Sequence, residues 1–334
     1  MEDITLLITG AGAPGIAGTL YSLQQQTGLK LRTIGVDIDP NPVGKLLLDK
    51  VYAVSKPSEE FIAEIMEICK RENINIVLPQ VTRELSWFAK NKEKFEKNGI
   101  KVMVSDADSL ESVNDKYKLL ELCRKKGIQC TGKYFLTKTI KELEEASKEL
   151  GYPKRPFVIK LPVSNGMRGL RIIDGGLNRF ESYINDKPDG TRISLTDFES
   201  ILANHKMPEL LAMEYYPGPE YSVDLLADKG KMIVCVPRER LKIRSGITFM
   251  SKTENNPQMI EHSKKIVEAI NLDYILGFQY KLDAAGKPMI LECNPRVQGT
   301  MVASTLAKTN IILGGVKQAL NGSSGLRQSE VEWG

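Results

Sequence analysis

The first hundred residues admit few folds. An apolar run from Ile4 to Thr9 ends in Gly10-Ala11-Gly12-Ala13-Pro14-Gly15. An amphipathic stretch from about Ile16 to Gln26 then leads to a second apolar run, Leu31 to Val36, closed by Asp37. Strand, glycine turn, helix and strand in that order make a βαβ unit, whose crossover sets the two strands parallel. The alternation continues with a helix over about Ser58 to Glu72, a strand from Ile74 to Leu78, a helix from about Arg83 to Lys97 and a strand from Ile100 to Val104. Such a run folds into a doubly wound parallel sheet that receives ligands beyond the carboxyl ends of its strands. Pro79-Gln80-Val81-Thr82-Arg83-Glu84 falls at one such end. It reads equally as a plain loop with Thr82 capping the next helix or as a segment that touches substrate. The glycine turn with Asp37 also matches the dinucleotide pattern, pyrophosphate on the helix N-terminus and the acid on a ribose hydroxyl. Any such βαβ unit needs glycines for its tight turn, so the match alone does not make an NAD site.

A second stretch constrains chemistry rather than fold. Gly277 to Asp283 and Pro288 to Arg296 both alternate with a period of two around a turn at Ala284 to Lys287, which reads as a β-hairpin. In the second arm Glu292, Asn294 and Arg296 share one face; in the first, Gln279, Lys281 and Asp283 do. Carboxylate and amide oxygens suit a hard cation such as Mg2+, which is held by one or two protein ligands plus substrate phosphates. A guanidinium two positions on suits phosphate oxygens. One such residue would be a solvated face on an edge strand; Gln279, Glu292, Asn294 and Arg296 together read as a site.

Composition removes several function classes. The chain of 334 residues suffices for two or three domains, with 42% hydrophobic and 26% charged residues, as in ordinary globular proteins. A net charge of +4 makes no case for nucleic acid. The five cysteines are odd in number and scattered, which suggests buried thiols in a reducing compartment. With His205 and His262 as the two histidines, a histidine-rich zinc site or a Ser-His-Asp triad is improbable. The start, Met1-Glu2-Asp3, does not read as a signal peptide, and no apolar run is long enough to span a membrane. A cytoplasmic protein without nucleic-acid or membrane partners is expected.

Between these stretches lie further candidates. One helical segment is expected from Ser109 through Asn114-Asp115-Lys116 to Lys126, with Gly127 as its C-terminal cap. After a helix from Ile140 to Leu150, an apolar strand ends at Lys160. It leads through Ser164-Asn165-Gly166-Met167-Arg168-Gly169 to a strand from Leu170 to Ile173. Small, glycine-interrupted loops let backbone amides wrap phosphates, and Lys160 is placed to neutralise one. No Gly-Lys-Ser/Thr follows, so this is not a Walker loop. Residues 174–207 are polar, with a helix around Ser194 to Asn204, and suggest no chemistry. Leu210 to Asp224 forms strand, turn and strand, in which Tyr215 and Tyr216 could be packing aromatics. A strand from Met232 to Val236 leads into Arg238, Arg240, Lys242 and Arg244, a surface charge run or a set facing phosphate and a substrate carboxylate, Arg244 above all. A helix from Gln258 to Ile270 precedes the hairpin, and small helices from Met301 to Leu320 follow it.

Gln279 followed after a hairpin by Glu292-Cys293-Asn294-Pro295-Arg296 resembles the metal signature of the ATP-grasp superfamily, in the branch of the carbamoyl-phosphate synthase large subunit and its single-module relatives. The resemblance covers about residues 4–320. It implies an α/β fold, α+β in the C-terminal half: a Rossmann-like N-terminal domain at 1–113 and an ATP-grasp domain at 114–320. A mobile lid subdomain is implied at about 131–212, before a flexible tail at 321–334. By this resemblance Gln279 and Glu292 bind one Mg2+, Glu292 and Asn294 a second, with Mn2+ able to substitute, and Arg296 meets the transferred phosphate beside Lys160 and Arg244. ATP is held by Lys116, Lys160 and the lid loop Ser164, Gly166, Arg168 and Gly169. The linker Met213-Glu214-Tyr215-Tyr216 runs beneath adenine, and Glu220 accepts ribose hydroxyls. The implied reaction is ATP-dependent ligation: a carboxylate becomes an acyl phosphate with release of ADP, and an amine displaces phosphate. The partners are small-molecule carboxylate and amine substrates, with a homodimer left open. The synthases carry a second arginine where this chain has Gly299, which favours a carboxylate larger than bicarbonate. Alternative readings are synthase-like phosphorylation of bicarbonate or carbamate, an NAD-dependent oxidoreductase using the Gly10 to Gly15 turn, and an ATP-binding module without catalysis.

Overall fold

The computed structural model describes residues 2–25, 29–164, 166–185, 190–244 and 246–334. Three five-stranded sheets organise the chain. The first is wholly parallel, in the order β3-β2-β1-β4-β5, from β1 (Glu2–Thr9), β2 (Leu29–Asp37), β3 (Lys50–Ala53), β4 (Ile76–Leu78) and β5 (Lys101–Val102). It is wound with α1 (Ile16–Gln24), α2 (Glu59–Glu72) and α3 (Thr82–Glu96). Ser58 caps α2 by accepting from the Phe61 amide. The expected helix end at Gln26 lies outside the described residues, and α1 closes at Gln24. Sequence reading missed β3, a four-residue edge strand of which Lys50 and Ala53 are exposed and which lacks an apolar face to signal it.

The single helix expected over Ser109 to Lys126 is two, α4 (Ala107–Asn114) and α5 (Lys116–Lys125). The break falls at Asp115, whose backbone is extended and whose Oδ1 accepts from the amides of Tyr117 and Lys118 at 2.8 and 3.1 Å. An aspartate that satisfies orphan amides of a helix start favours a new N-terminus over continuation.

The second sheet has the order β6-β10-β7-β8-β9, from β6 (Tyr134–Thr137), β7 (Phe157–Lys160), β8 (Arg171–Ile173), β9 (Arg192–Ile193) and β10 (Leu210–Glu214). The third runs β13-β12-β11-β14-β15, from β11 (Glu220–Asp228), β12 (Lys231–Arg244), β13 (Ile247–Thr253), β14 (Tyr274–Leu282) and β15 (Pro288–Asn294). The cation run after Val236 belongs to β12, which is far longer than expected.

Chain contacts divide the molecule into two compact units. The first joins Met1–Asn114 with Glu220–Tyr280 and Glu292–Gly334; the second joins Asp115–Pro219 with Lys281–Leu291. The units therefore cut across a linear split at residue 113. In the first unit Ile4, Leu6 and Ile8 of β1 share one apolar core with Leu226, Val234, Ile275, Ile312 and Val316. In the second, Leu143, Phe157, Ile159, Ile173, Phe198 and Leu210 form another. The segment 321–334, expected to be flexible, is tied into the first unit. The Gln328 side-chain amide brackets the Cys235 backbone, accepting from its N at 2.7 Å and donating to its O at 3.0 Å, Val331 is buried, and the Gly334 amide donates to Thr253 O. All five cysteines are buried, and none forms a disulfide. No described helix is long and apolar enough to cross a membrane.

Candidate active site

In the first unit, β15 delivers its polar face as a connected chain. Asn294 Nδ2 donates to Glu292 Oε1 at 3.2 Å, and Arg296 Nη2 donates to Asn294 Oδ1 at 3.1 Å. Arg296 is fixed from two further sides, by Nε to Thr82 Oγ1 at 2.8 Å and Nη1 to Val297 O at 2.8 Å. Burial lowers the Arg296 pKa, while the charges of Glu292 and Cys293 act to raise it. Alternation along β15 sets Glu292 and Asn294 on one face, whereas the strand expected to run to Arg296 ends at Asn294 and Arg296 lies in a turn beyond it, its amide donating to Asn294 O at 2.7 Å. Gln279 is half-buried on neighbouring β14. Among the described residues no group of three or more His, Cys, Asp and Glu could hold a metal alone. The donor set here is one carboxylate and two amides, so it fits Mg2+ when phosphates complete the shell. Asn294 Oδ1 has a second lone pair free for that purpose beside its bond from Arg296.

The expected cation run resolves into two kinds of residue. Arg238 and Arg240 are buried and Arg244 is exposed. Arg238 sits opposite Ser222 in the β11–β12 register and reaches the diagonal Asp224 with two bonds, Nε to Oδ2 at 2.6 Å and Nη2 to Oδ1 at 3.0 Å. Both side chains are fully buried, and Ser304 Oγ adds a third bond to Asp224 at 2.6 Å. Arg240 Nη1 pairs with Glu220, so the carboxylate expected at ribose is already neutralised. Arg244 ends β12 and forms no salt bridge among the described residues. Sequence reading missed the Asp224–Arg238 pair. Its signal was the alternation Arg238, Arg240 matched by Glu220, Asp224 on the preceding strand.

The glycine turn after β1 is closed on itself. Gly12 N donates to Asp37 Oδ2 at 2.7 Å, so the amide and the acid that a dinucleotide would need satisfy each other. A Cβ on Gly15 would lie 2.8 Å from Gly299 Cα, so Gly15 is there to admit the 299 loop. A Cβ on Gly299 would meet nothing within 4 Å.

In the second unit, Lys116 opens α5, is buried, and donates from Nζ to Ser164 O at 2.8 Å and Ser164 Oγ at 3.4 Å. It thereby meets the β7–β8 loop, at whose head Lys160 is also buried. Gly166, Met167 and Gly169 take positive φ there, and Arg168 is exposed; Asn165 lies outside the described residues. Glu214 ends β10 with its side chain turned to the Lys133 amide at 3.1 Å. The Tyr216 hydroxyl accepts from Gly132 N at 3.1 Å, and burial pushes its pKa up. The Tyr216 ring is thus a packing aromatic, whereas Tyr215 has Arg192 5.6 Å from its ring centre.

Two family models match the chain: "ATP-grasp in the biosynthetic pathway with Ter operon" over residues 206–333 and "PylC-like, N-terminal domain" over residues 6–103. The carbamoyl phosphate synthase large chain of Clostridium acetobutylicum is 22% identical over 263 residues, 76% of this chain and 22% of that protein. The chain thus spans less than a quarter of the length of the curated relatives it matches. Among solved structures, N5-carboxyaminoimidazole ribonucleotide synthetase in its ADP complex superposes with TM-score 0.70 at 15% identity, covering 99% of this chain and 79% of that one. The biotin carboxylase domain of Hydrogenobacter thermophilus 2-oxoglutarate carboxylase, with MgADP and bicarbonate, gives TM-score 0.71 at 17% identity, covering 98% and 72%. The α/β architecture, with its parallel N-terminal sheet and antiparallel C-terminal sheet, is that of these structures. The chain carries an ATP-grasp domain together with a PylC-like N-terminal domain.

Proposed function

We propose that the protein is an ADP-forming carboxylate–amine ligase that uses ATP with Mg2+. The observation that carries this reading is the hydrogen-bonded chain Glu292–Asn294–Arg296 at the end of β15 and in the turn after it, which offers hard oxygens and a guanidinium in sequence. Gln279, Glu292 and Asn294 would hold Mg2+, or Mn2+ in its place, which when bound would supply charge neutralisation for phosphoryl transfer. Arg296 is locked by Thr82 and Val297, so its charge is oriented before substrate arrives, the condition under which electrostatic stabilisation is most effective. In the second unit Lys116 and Lys160 meet nucleotide phosphates with the Ser164–Gly169 loop. Backbone groups beside Glu214 and Tyr215 read adenine, Tyr216 holding that linker, and Glu220 accepts ribose hydroxyls. Arg244 meets a substrate carboxylate.

The open space at Gly299 favours a carboxylate larger than bicarbonate over the synthase-like reaction. The protein works on small molecules, in the cytoplasm. Carboxylate- and amine-dependent release of ADP from Mg·ATP is the expected result with pooled acids and amines, and Glu292→Ala abolishes it. Release of AMP and pyrophosphate instead would overturn the acyl-phosphate route, and ATP binding without turnover in any pool would favour the non-catalytic module.

A further inference from the structure

The first unit holds a polar cluster that none of the roles above uses. Gln80 and Glu84 lie at the carboxyl end of β4 and in the first turn of α3, and both are more than nine-tenths buried. Gln80 N donates to Thr9 Oγ1 at 2.9 Å, and Thr19 Oγ1 donates to Gln80 Oε1 at 3.0 Å. Thr9 also lies near the Glu84 carboxyl, where it acts to lower that group's pKa. Two atoms are left over: Gln80 Nε2 and Glu84 Oε2 have no hydrogen-bond partner among the described residues. Buried polar atoms nearly always have partners, so each such exception calls for a ligand or other explanation.

The two leftovers are complementary. Gln80 Nε2 needs an oxygen acceptor, and the Glu84 carboxylate needs a donor, best a cationic one. One molecule meets both needs if it bears a protonated amine next to an oxygen, as amino acids and amino alcohols do. The cluster is also tied to the strand face proposed for phosphoryl transfer, because Arg296 Nε is bonded to Thr82 Oγ1, two residues before Glu84. Open α/β sheets receive ligands at this end.

We propose that Gln80 and Glu84 form the subsite of the amine nucleophile, with Glu84 taking the ammonium and accepting its proton. The inference rests on the ligase reading above. The step balances as follows: the ammonium nitrogen gives one proton to the Glu84 carboxylate, its freed lone pair forms the N–C bond, and the acyl C–O bond breaks. Phosphate leaves with that electron pair and takes up the second proton, which the nitrogen sheds as the amide forms. Burial raises the Glu84 carboxyl to about 7, opposed by Thr9 and reinforced by the Asp37 charge at the end of β2. The other charges nearby in sequence or contact are Arg83, exposed on the same turn, and Arg296 through Thr82. A base titrating there is half-charged at neutral pH and suited to proton transfer.

The test uses two nucleophiles on the full chain, with the carboxylate found by ADP release. Hydroxylamine is unprotonated at neutral pH and needs no base; an amino acid or amino alcohol does. Glu84→Gln is expected to keep hydroxamate formation within about threefold while amine ligation falls about a hundredfold or more. The wild-type rise of amine ligation through neutral pH is expected to vanish in this variant. Gln80→Leu, which leaves the carboxyl in place, raises the KM for the amine and spares hydroxylamine. Equal loss, or equal retention, of both nucleophiles in Glu84→Gln would overturn the subsite. Absence of hydroxamate with the wild type would overturn the ligase reading itself.

Discussion

Two buried glutamates on the parallel sheet live in opposite circumstances. Glu72, at the end of α2 near the amino ends of the strands, is bonded by Lys50 at 2.8 Å and also by Tyr52 and Arg32. Those partners, Lys50 first, hold its carboxyl down to about 2. Glu84, at the carboxyl ends, has one oxygen without a partner, and burial pushes it up to about 7. One end of the sheet spends its carboxylate on stability; the other keeps one at a cost. That division follows from the architecture, since loops at the carboxyl ends of parallel strands are where α/β folds place ligands.

The difference can be broken experimentally, in order of expected effect. Glu292→Ala, on the functional side, is expected to lower turnover by about a hundred- to thousandfold with the fold intact, read by ADP release and circular dichroism. Glu84 contributes next. A carboxyl raised from 4.5 to about 7 in the folded state binds more protons folded than unfolded. Stability therefore falls as pH rises between those values, by at most about 3 kcal/mol. Glu84→Gln is expected to flatten that slope and to melt higher than the wild type above pH 7; an unchanged slope would refute the contrast. Glu72→Gln should do the reverse. Its depressed carboxyl stabilises above the usual carboxylate range and loses that effect as pH falls toward 2, so the variant loses about 1–2 kcal/mol near neutrality and is less acid-sensitive, with turnover unchanged. Asp115→Ala removes only a helix cap and is expected to cost about 1 kcal/mol in urea unfolding.

Much of this was legible in the sequence where local pattern decides structure. The βαβ alternation, the hairpin and the shared face of Glu292 and Asn294 all follow from periodicity over a few residues, whereas Arg296 joins them from a turn beyond the strand. What was not legible depends on partners distant in the chain. Asp115 reads as mid-helix until its side chain is seen to cap α5. Arg238 reads as surface charge until the β11–β12 register buries it against Asp224. The glycine turn matches the dinucleotide pattern in sequence, and only packing shows that Asp37 closes on Gly12 and that Gly299 fills the space at Gly15. Gln80 and Glu84 could be flagged only as lying at a strand's carboxyl end; their missing partners are a property of packing.

The central claim is that a carboxylate becomes an acyl phosphate, and isotope transfer tests it directly. With the substrate carboxylate labelled in heavy oxygen and the ligation run to completion, mass spectrometry of the released phosphate is expected to find one labelled oxygen per turnover. Phosphate free of label, alongside amide product, would contradict the account.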